Sequence, residues 1–119
     1  MDKVNICEKL SLFNEYWNPK ILGEVNESYV KVAKFKGEFL WHIHENEDEM
    51  FYVLKGQLII KFRDKDITLN QGEFLIIPKG TEHMPVAEEE VHVMLIEAKT
   101  TLNTGNVINE RTVEKLEEF

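Results

Sequence analysis

The chain has 119 residues, 43% of them hydrophobic and 30% charged, a balance that suits one globular domain built around a single core. A lone cysteine, Cys7, precludes an internal disulfide, no window nears the roughly 18 consecutive apolar residues of a membrane span, and a net charge of −8 repels a phosphate backbone. Nucleic acid and membranes are therefore excluded as expected partners, and with no basic-then-apolar leader at the N-terminus a cytoplasmic location is expected.

Residues 1–28 show no sustained period and carry Pro19 and Gly23 as breakers, which predicts a helical turn or an extended arm. Its Phe13, Tyr16 and Trp17 are available to pack on the rest of the chain or on a partner. The run "YVKVAKF" from Tyr29 to Phe35 alternates, and "FLWHIH" continues the strand pattern after Gly37. "MFYVLKG", "QLIIKFR", "DITL" and "EFLIIP" follow, separated by turn signals at Lys55-Gly56, Asp64-Lys65-Asp66 and Asn70-Gln71-Gly72. "HMPVA" and "VHVMLIEA" complete the series, with the acidic run Glu88-Glu89-Glu90 predicted as a bend between them. Seven or eight short strands without a long amphipathic helix predict an all-β, antiparallel sandwich or closed barrel over 29–98. The tail 99–119 is polar, with "RTVEKLEEF" suited to a short terminal helix.

On a strand, residues i and i+2 share a face, so His42 and His44 project together with Cα atoms roughly 6.6 Å apart, close enough to converge on one ion. Two such imidazoles inside a barrel would each need a hydrogen-bond partner and would repel when protonated; shared coordination removes both costs. Glu49 returns to the same region after the turn "ENED", and His83 follows Pro78-Lys79-Gly80. Glu45, Glu47 and Asp48 read as a solvated turn.

The spacing of His42, His44, Glu49 and Gly56 resembles the first motif of the cupin superfamily, and Gly72, Pro78, Gly80 and His83 are spaced as in its second. The resemblance covers about residues 29–98. It implies an antiparallel jelly-roll barrel with a short N-terminal arm (1–28) and a C-terminal helix or tail, holding a divalent transition metal through His42, His44, Glu49 and His83. Ala87 stands where the second motif often ends in asparagine, and four residues rather than five separate Gly37 from His42.

Three nitrogens and one oxygen suit Fe(II), Mn(II), Ni(II), Co(II) or Zn(II), and four protein ligands leave positions open for chemistry. The expected function is a metal-dependent enzyme, dioxygenase-like or isomerase/lyase-like, acting on a small organic substrate inside the barrel; the alternative is a non-catalytic metal-dependent binding or sensor module. The barrel wall is expected from Phe51 and Val53, with Phe35, Phe62, His92 or Met94 as additions. For the last strand either His92, Met94 and Ile96 or Val91, Val93 and Leu95 face inward; in the first register His92 is the candidate catalytic acid or base. Lys34, Lys36, Arg63 and Lys79 are scattered and read as surface charges without a phosphate cradle. Outward-facing Trp41, Ile43, Tyr52 and Ile59 add apolar surface that points to a homodimer.

Overall fold

In the computed structural model, which describes residues 1–119, the alternating stretches form seven strands. A one-turn helix, α1 (Ile6–Leu10), is capped by Asn5, whose side-chain oxygen accepts from the Glu8 N–H. The strands are β1 (Lys20–Val25), β2 (Ser28–Glu38), β3 (Glu49–Lys55), β4 (Gln57–Lys61), β5 (Asp66–Asn70), β6 (Phe74–Ile77) and β7 (Met84–Ala98). Every pairing between them is antiparallel, in the order β1-β2-β7-β3-β6, with the β4–β5 hairpin attached through β4 to β7.

One strand makes this closure possible. The C-terminal half of β7 lies between β2 and β3, while its N-terminal end, Met84 to Val86, pairs with β4. The predicted break at Glu88-Glu89-Glu90 is therefore corrected: β7 runs unbroken for 15 residues, and the three exposed glutamates lie where its partner on one side changes from β4 to β3.

The inward parity is mostly apolar. Ala33 and Phe35, Phe51 and Val53, Leu58 and Ile60, and Val91, Val93 and Leu95 belong to one buried cluster, each large side chain worth about 1.5–3 kcal/mol on burial. Of the two registers open for the last strand, the one with Val91, Val93 and Leu95 inward is realised. On the opposite face of the β2–β7 sheet, Leu10 and Phe13 close over Val32 and Met94.

The N-terminal segment packs on its own barrel. Trp17 stacks on Phe35 and Phe39, with ring centroids 4.2 and 4.9 Å away, and its indole N–H donates to the Lys36 carbonyl. Lys34, expected at the surface, is instead only 8% exposed and donates to the Phe13 carbonyl, which the passing arm brings over it. Trp41, Ile43, Tyr52 and Ile59, expected to be exposed, are half-buried; the Arg63 guanidinium covers the Trp41 ring at 3.7 Å. Exposed apolar surface lies elsewhere on the outer sheet face, at Phe74 (58%), Ile76 (54%) and Ile96 (36%). No helix is long and apolar enough to cross a membrane.

The tail forms no helix, because its backbone is committed to a neighbour. The Ile21 N–H donates to the Glu117 carbonyl and the Phe119 N–H donates to the Ile21 carbonyl, tying the end of the chain to β1. Before that, residues 103–113 form a strap over the His42–His44 segment. The Asn106 N–H donates to the Ile43 carbonyl, the Ile43 N–H donates to Asn106 Oδ1, and the Arg111 guanidinium donates to the carbonyls of Glu38 and Phe39. Gly105 permits the close approach: its φ is +55°, and a Cβ there would overlap the Ile43 carbonyl oxygen. Gly105→Ala is expected to destabilise the protein by about 1–3 kcal/mol and to speed hydrogen exchange at the Ile43 and Asn106 amides, measured by urea unfolding and native-state exchange.

Candidate metal centre

His42 and His44 do not lie on a paired strand. After Glu38 the chain leaves the β2–β7 ladder, and the predicted "FLWHIH" strand is reduced to a single bridge between His42 and His83. The side-chain alternation nevertheless survives: His42 and His44 are buried while Trp41 and Ile43 are half-buried. The bridge itself fixes two of the imidazoles, since the His42 N–H donates to the His83 carbonyl and the His83 N–H donates to that of His42. Gly80 N–H donates to the His44 carbonyl, and the Lys79 N–H is held by Asp48 Oδ1, so the turn before His83 is clamped to the loop carrying His44. Glu45 and Asp48 are exposed and Glu47 half-buried, in the solvated turn expected of them.

Glu49 opens β3 with its side chain inward, opposite Ile77 of β6. One donor atom from each of His42, His44, Glu49 and His83 lies within 4.8 Å of the others, and all four residues are at most 4% exposed. Two donors each about 2.1 Å from one ion sit at most about 4.2 Å apart, a separation close to the spacing of this group.

Backbone carbonyls set the ring tautomers. A carbonyl only accepts, so the 2.9 Å contacts of His42 Nδ1 with Leu40 and of His83 Nδ1 with Thr81 place a proton on each Nδ1. In the neutral rings both Nε2 lone pairs are then left for the centre of the cluster. His83 Nε2 lies 3.2 Å and His44 Nε2 3.4 Å from Glu49 Oε1, and neither ring nitrogen of buried His44 has a hydrogen-bond partner. Lone pairs facing a carboxylate at this distance repel unless a proton or a cation lies between them. The donor set therefore fits a divalent metal.

Burial, with His83 beside it, lowers the His42 pKa to about 4, so its ring is neutral near pH 7. Burial opposes the charge on Glu49, but the neighbouring His44 and His83 side chains outweigh it and hold this carboxyl well below the usual range. The centre is thus a carboxylate with at least one neutral imidazole, the protonation state a cation requires.

A family model for the cupin domain matches residues 28–99. The chain belongs to the cupin family. Over 63 residues, 52% of the chain, it is 48% identical to the Bacillus subtilis protein YdbB, covering 56% of that protein. Over 64% of the chain it is 37% identical to acireductone dioxygenase of Yarrowia lipolytica, covering 46% of it. The chain thus spans about half the length of these curated relatives. A cupin-2 domain protein from Shewanella frigidimarina has a solved structure that matches 81% of this chain and 94% of its own at 48% identity, with a TM-score of 0.80. The strap at 103–113 lies beyond the residues matched by the cupin model.

His92 is placed away from this cluster. In the realised register it alternates with buried Val91 and Val93, and its Nε2 lies 2.7 Å from Glu90 at the surface, so the inward position considered for it as an acid or base is corrected. Met94 likewise faces the α1 side. Sequence reasoning missed Glu97, Lys31 and Trp17. Glu97 is 4% exposed and, with Trp17, Phe35, Phe51 and Asn103, lines a cavity of about 30 Å³ beside His42 and Glu49. A signal for Glu97 existed: within the predicted strand "VHVMLIEA" it is the one charge on the parity of Val91, Val93 and Leu95.

The unfolded chain protonates His42 near pH 6.5, whereas the folded site refuses the proton until about pH 4. Lowering the pH through that window therefore favours the unfolded state. Chelator-treated protein is expected to lose about 3 kcal/mol between pH 6.5 and 4 through this residue, with a flatter profile for His42→Gln in urea titrations.

Proposed function

We propose that this cupin holds one divalent transition metal (Fe, Mn, Ni, Co or Zn) through His42, His44, Glu49 and His83, and is a metal-dependent enzyme of dioxygenase type acting on a small organic substrate. The observation that carries the reading is the convergence of three buried imidazoles, one with both ring nitrogens unpartnered, on a buried carboxylate. When bound, the metal supplies Lewis acidity and a place where oxygen and a chelating substrate meet. The relatives named as dioxygenases support oxidation over isomerase or lyase chemistry, as a reading from family likeness.

The chain's own residues divide the remaining work. Leu40 and Thr81 carbonyls keep two Nε2 lone pairs turned inward. Phe35, Phe39, Phe51 and Leu95 make the wall beside the cluster apolar and exclude water, which favours a substrate that carries its oxygen donors on a small hydrophobic frame. The cavity of about 30 Å³ accommodates a water-sized ligand, and Trp17 and Asn103 of the strap border it. The absence of any disulfide and the free, exposed Cys7 suit a cytoplasmic site of action.

A second copy of the chain is the partner proposed for the outer sheet face. Ile76, Met50 and Ile96 are in register across β6, β3 and β7, and Phe74 stands beside them, an apolar strip of the kind that marks an interface.

Protein purified without added metal is expected to carry about one transition-metal ion per chain by elemental analysis, and His44→Ala with His83→Ala to carry less than about a tenth of that. Oxygen consumption with enol or catechol-like substrates, absent in the double variant, is the expected sign of turnover; substrate-dependent melting without oxygen uptake would instead identify a binding module. Sedimentation equilibrium is expected to give twice the 14.0 kDa chain mass, with Ile76→Lys shifting the protein to monomer.

A further inference from the structure

The loop that carries His44 into the barrel continues through Glu45, Asn46 and Glu47, and between it and the C-terminal strap lies a second cavity, of about 210 Å³. Its lining is rich in side-chain oxygen: Glu45, Asn46 and Glu47 from the loop, with Thr100 and Asn106 facing them. No lysine or arginine lines it. The Thr100 hydroxyl donates to Glu47 Oε2 at 3.0 Å and so orients that half-buried carboxylate, whereas Asp48 of the same acidic run is spent on the Lys79 N–H and is not part of the lining. Of the four residues of the metal centre, His44 alone lines this cavity. It is 3% exposed, its Nε2 lies 3.4 Å from Glu49 Oε1, and neither of its ring nitrogens has a hydrogen-bond partner.

We propose that this cavity is the entrance through which the divalent cation reaches the metal centre, with Glu45 and Glu47 as the residues that attract it. The inference rests on the metal-binding reading given above. Two carboxylates with no cationic side chain among the lining produce a field of one sign in a partly enclosed space, and such clefts concentrate counter-ions and raise their association rates. The other approach is unfavourable. The cavity beside His42 and Glu49 is walled mainly by Phe35, Phe39, Phe51 and Leu95, and an ion passing such a wall gives up its hydration with few oxygen atoms to replace it. On the His44 side, carboxylate, amide and hydroxyl oxygens can stand in for lost water up to the unpartnered imidazole. Oxygen donors hold a transition metal less firmly than the imidazoles behind them, so the order of donors favours passage inward.

Stopped-flow mixing of Co(II) with the chelator-stripped full chain, read by its visible absorption, tests this. Wild type is expected to saturate at one equivalent, with an association rate that falls as salt is raised. Failure to bind would overturn the metal-binding reading itself, on which this inference stands; normal binding at a salt-independent rate would overturn the inference alone. Glu45→Gln with Glu47→Gln removes both charges and keeps an acceptor for Thr100. This variant is expected to load at least about tenfold more slowly at low salt, with a flatter salt dependence and with the bound spectrum and the rate of release to excess chelator unchanged. Glu88→Gln with Glu89→Gln removes two exposed charges from β7, outside the cavity, and is expected to load within about twofold of wild type. A Glu45→Gln/Glu47→Gln variant that loads as fast as wild type, or no more slowly than the β7 variant, would overturn the proposal. So would an altered bound spectrum or faster release in that variant, since Glu45 or Glu47 would then be a ligand rather than part of the entrance.

Discussion

The structure depends on polar groups being carried into an apolar barrel without enough hydrogen-bond partners to satisfy them. His42, His44, Glu49 and His83 are all buried, two of the imidazoles spend one nitrogen on a backbone carbonyl, and His44 spends neither. Leaving such groups bare costs on the order of 1–3 kcal/mol each, and an unpaired buried carboxylate costs more. A shared cation satisfies all four at once. The same constraint explains why the surrounding wall is phenylalanine, valine and leucine: a low-dielectric shell strengthens every interaction at the centre.

Strand β7 is what lets the constraint be met. By passing from the β4 side to a place between β2 and β3, it brings the segment that begins at His83 under the loop bearing His42, and sets Glu97 opposite Glu49 at its far end. A strand that ended at Glu88 would leave the two ends of the site on separable pieces of sheet. The N-terminal arm and the C-terminal strap then close over the assembly, Trp17 against Phe35 and Phe39, Gly105 against Ile43. The residues that pack beside the centre therefore come from both ends of the chain, and the strap lies outside the residues that the cupin model matches.

Buried lysines recur around the periphery with a different effect. Lys20 is wholly buried between Glu15 and Glu117, joining the arm to the tail, and Lys34 is held by the Phe13 carbonyl. Buried pairs of this kind add little net stability against an apolar replacement, but losing one partner is costly, so they fix which segments lie together. Here they register the two ends of the chain against β1 and β2.

Much of the fold was legible in the sequence because strand alternation and glycine turns are local properties. The inward faces of β2, β3 and β4 follow from period two, and the four donor residues follow from the resemblance of their spacing, with the turn glycines, to the two cupin motifs. What the sequence left open was decided by long-range pairing. It could not say that β7 runs through Glu88-Glu89-Glu90, because a solvated acidic run is as compatible with a bent strand as with a turn. It allowed two registers for the last strand, and only packing against Phe51 and Ala33 turned Val93 inward and His92 out. The tail reads as helical from its own residues, yet β1 claims its backbone. Residue identity and spacing determined which groups can meet an ion; the tertiary structure decided which other charges, Lys31 and Glu97, stand behind them, since burial of a charge depends on partners far away in the chain.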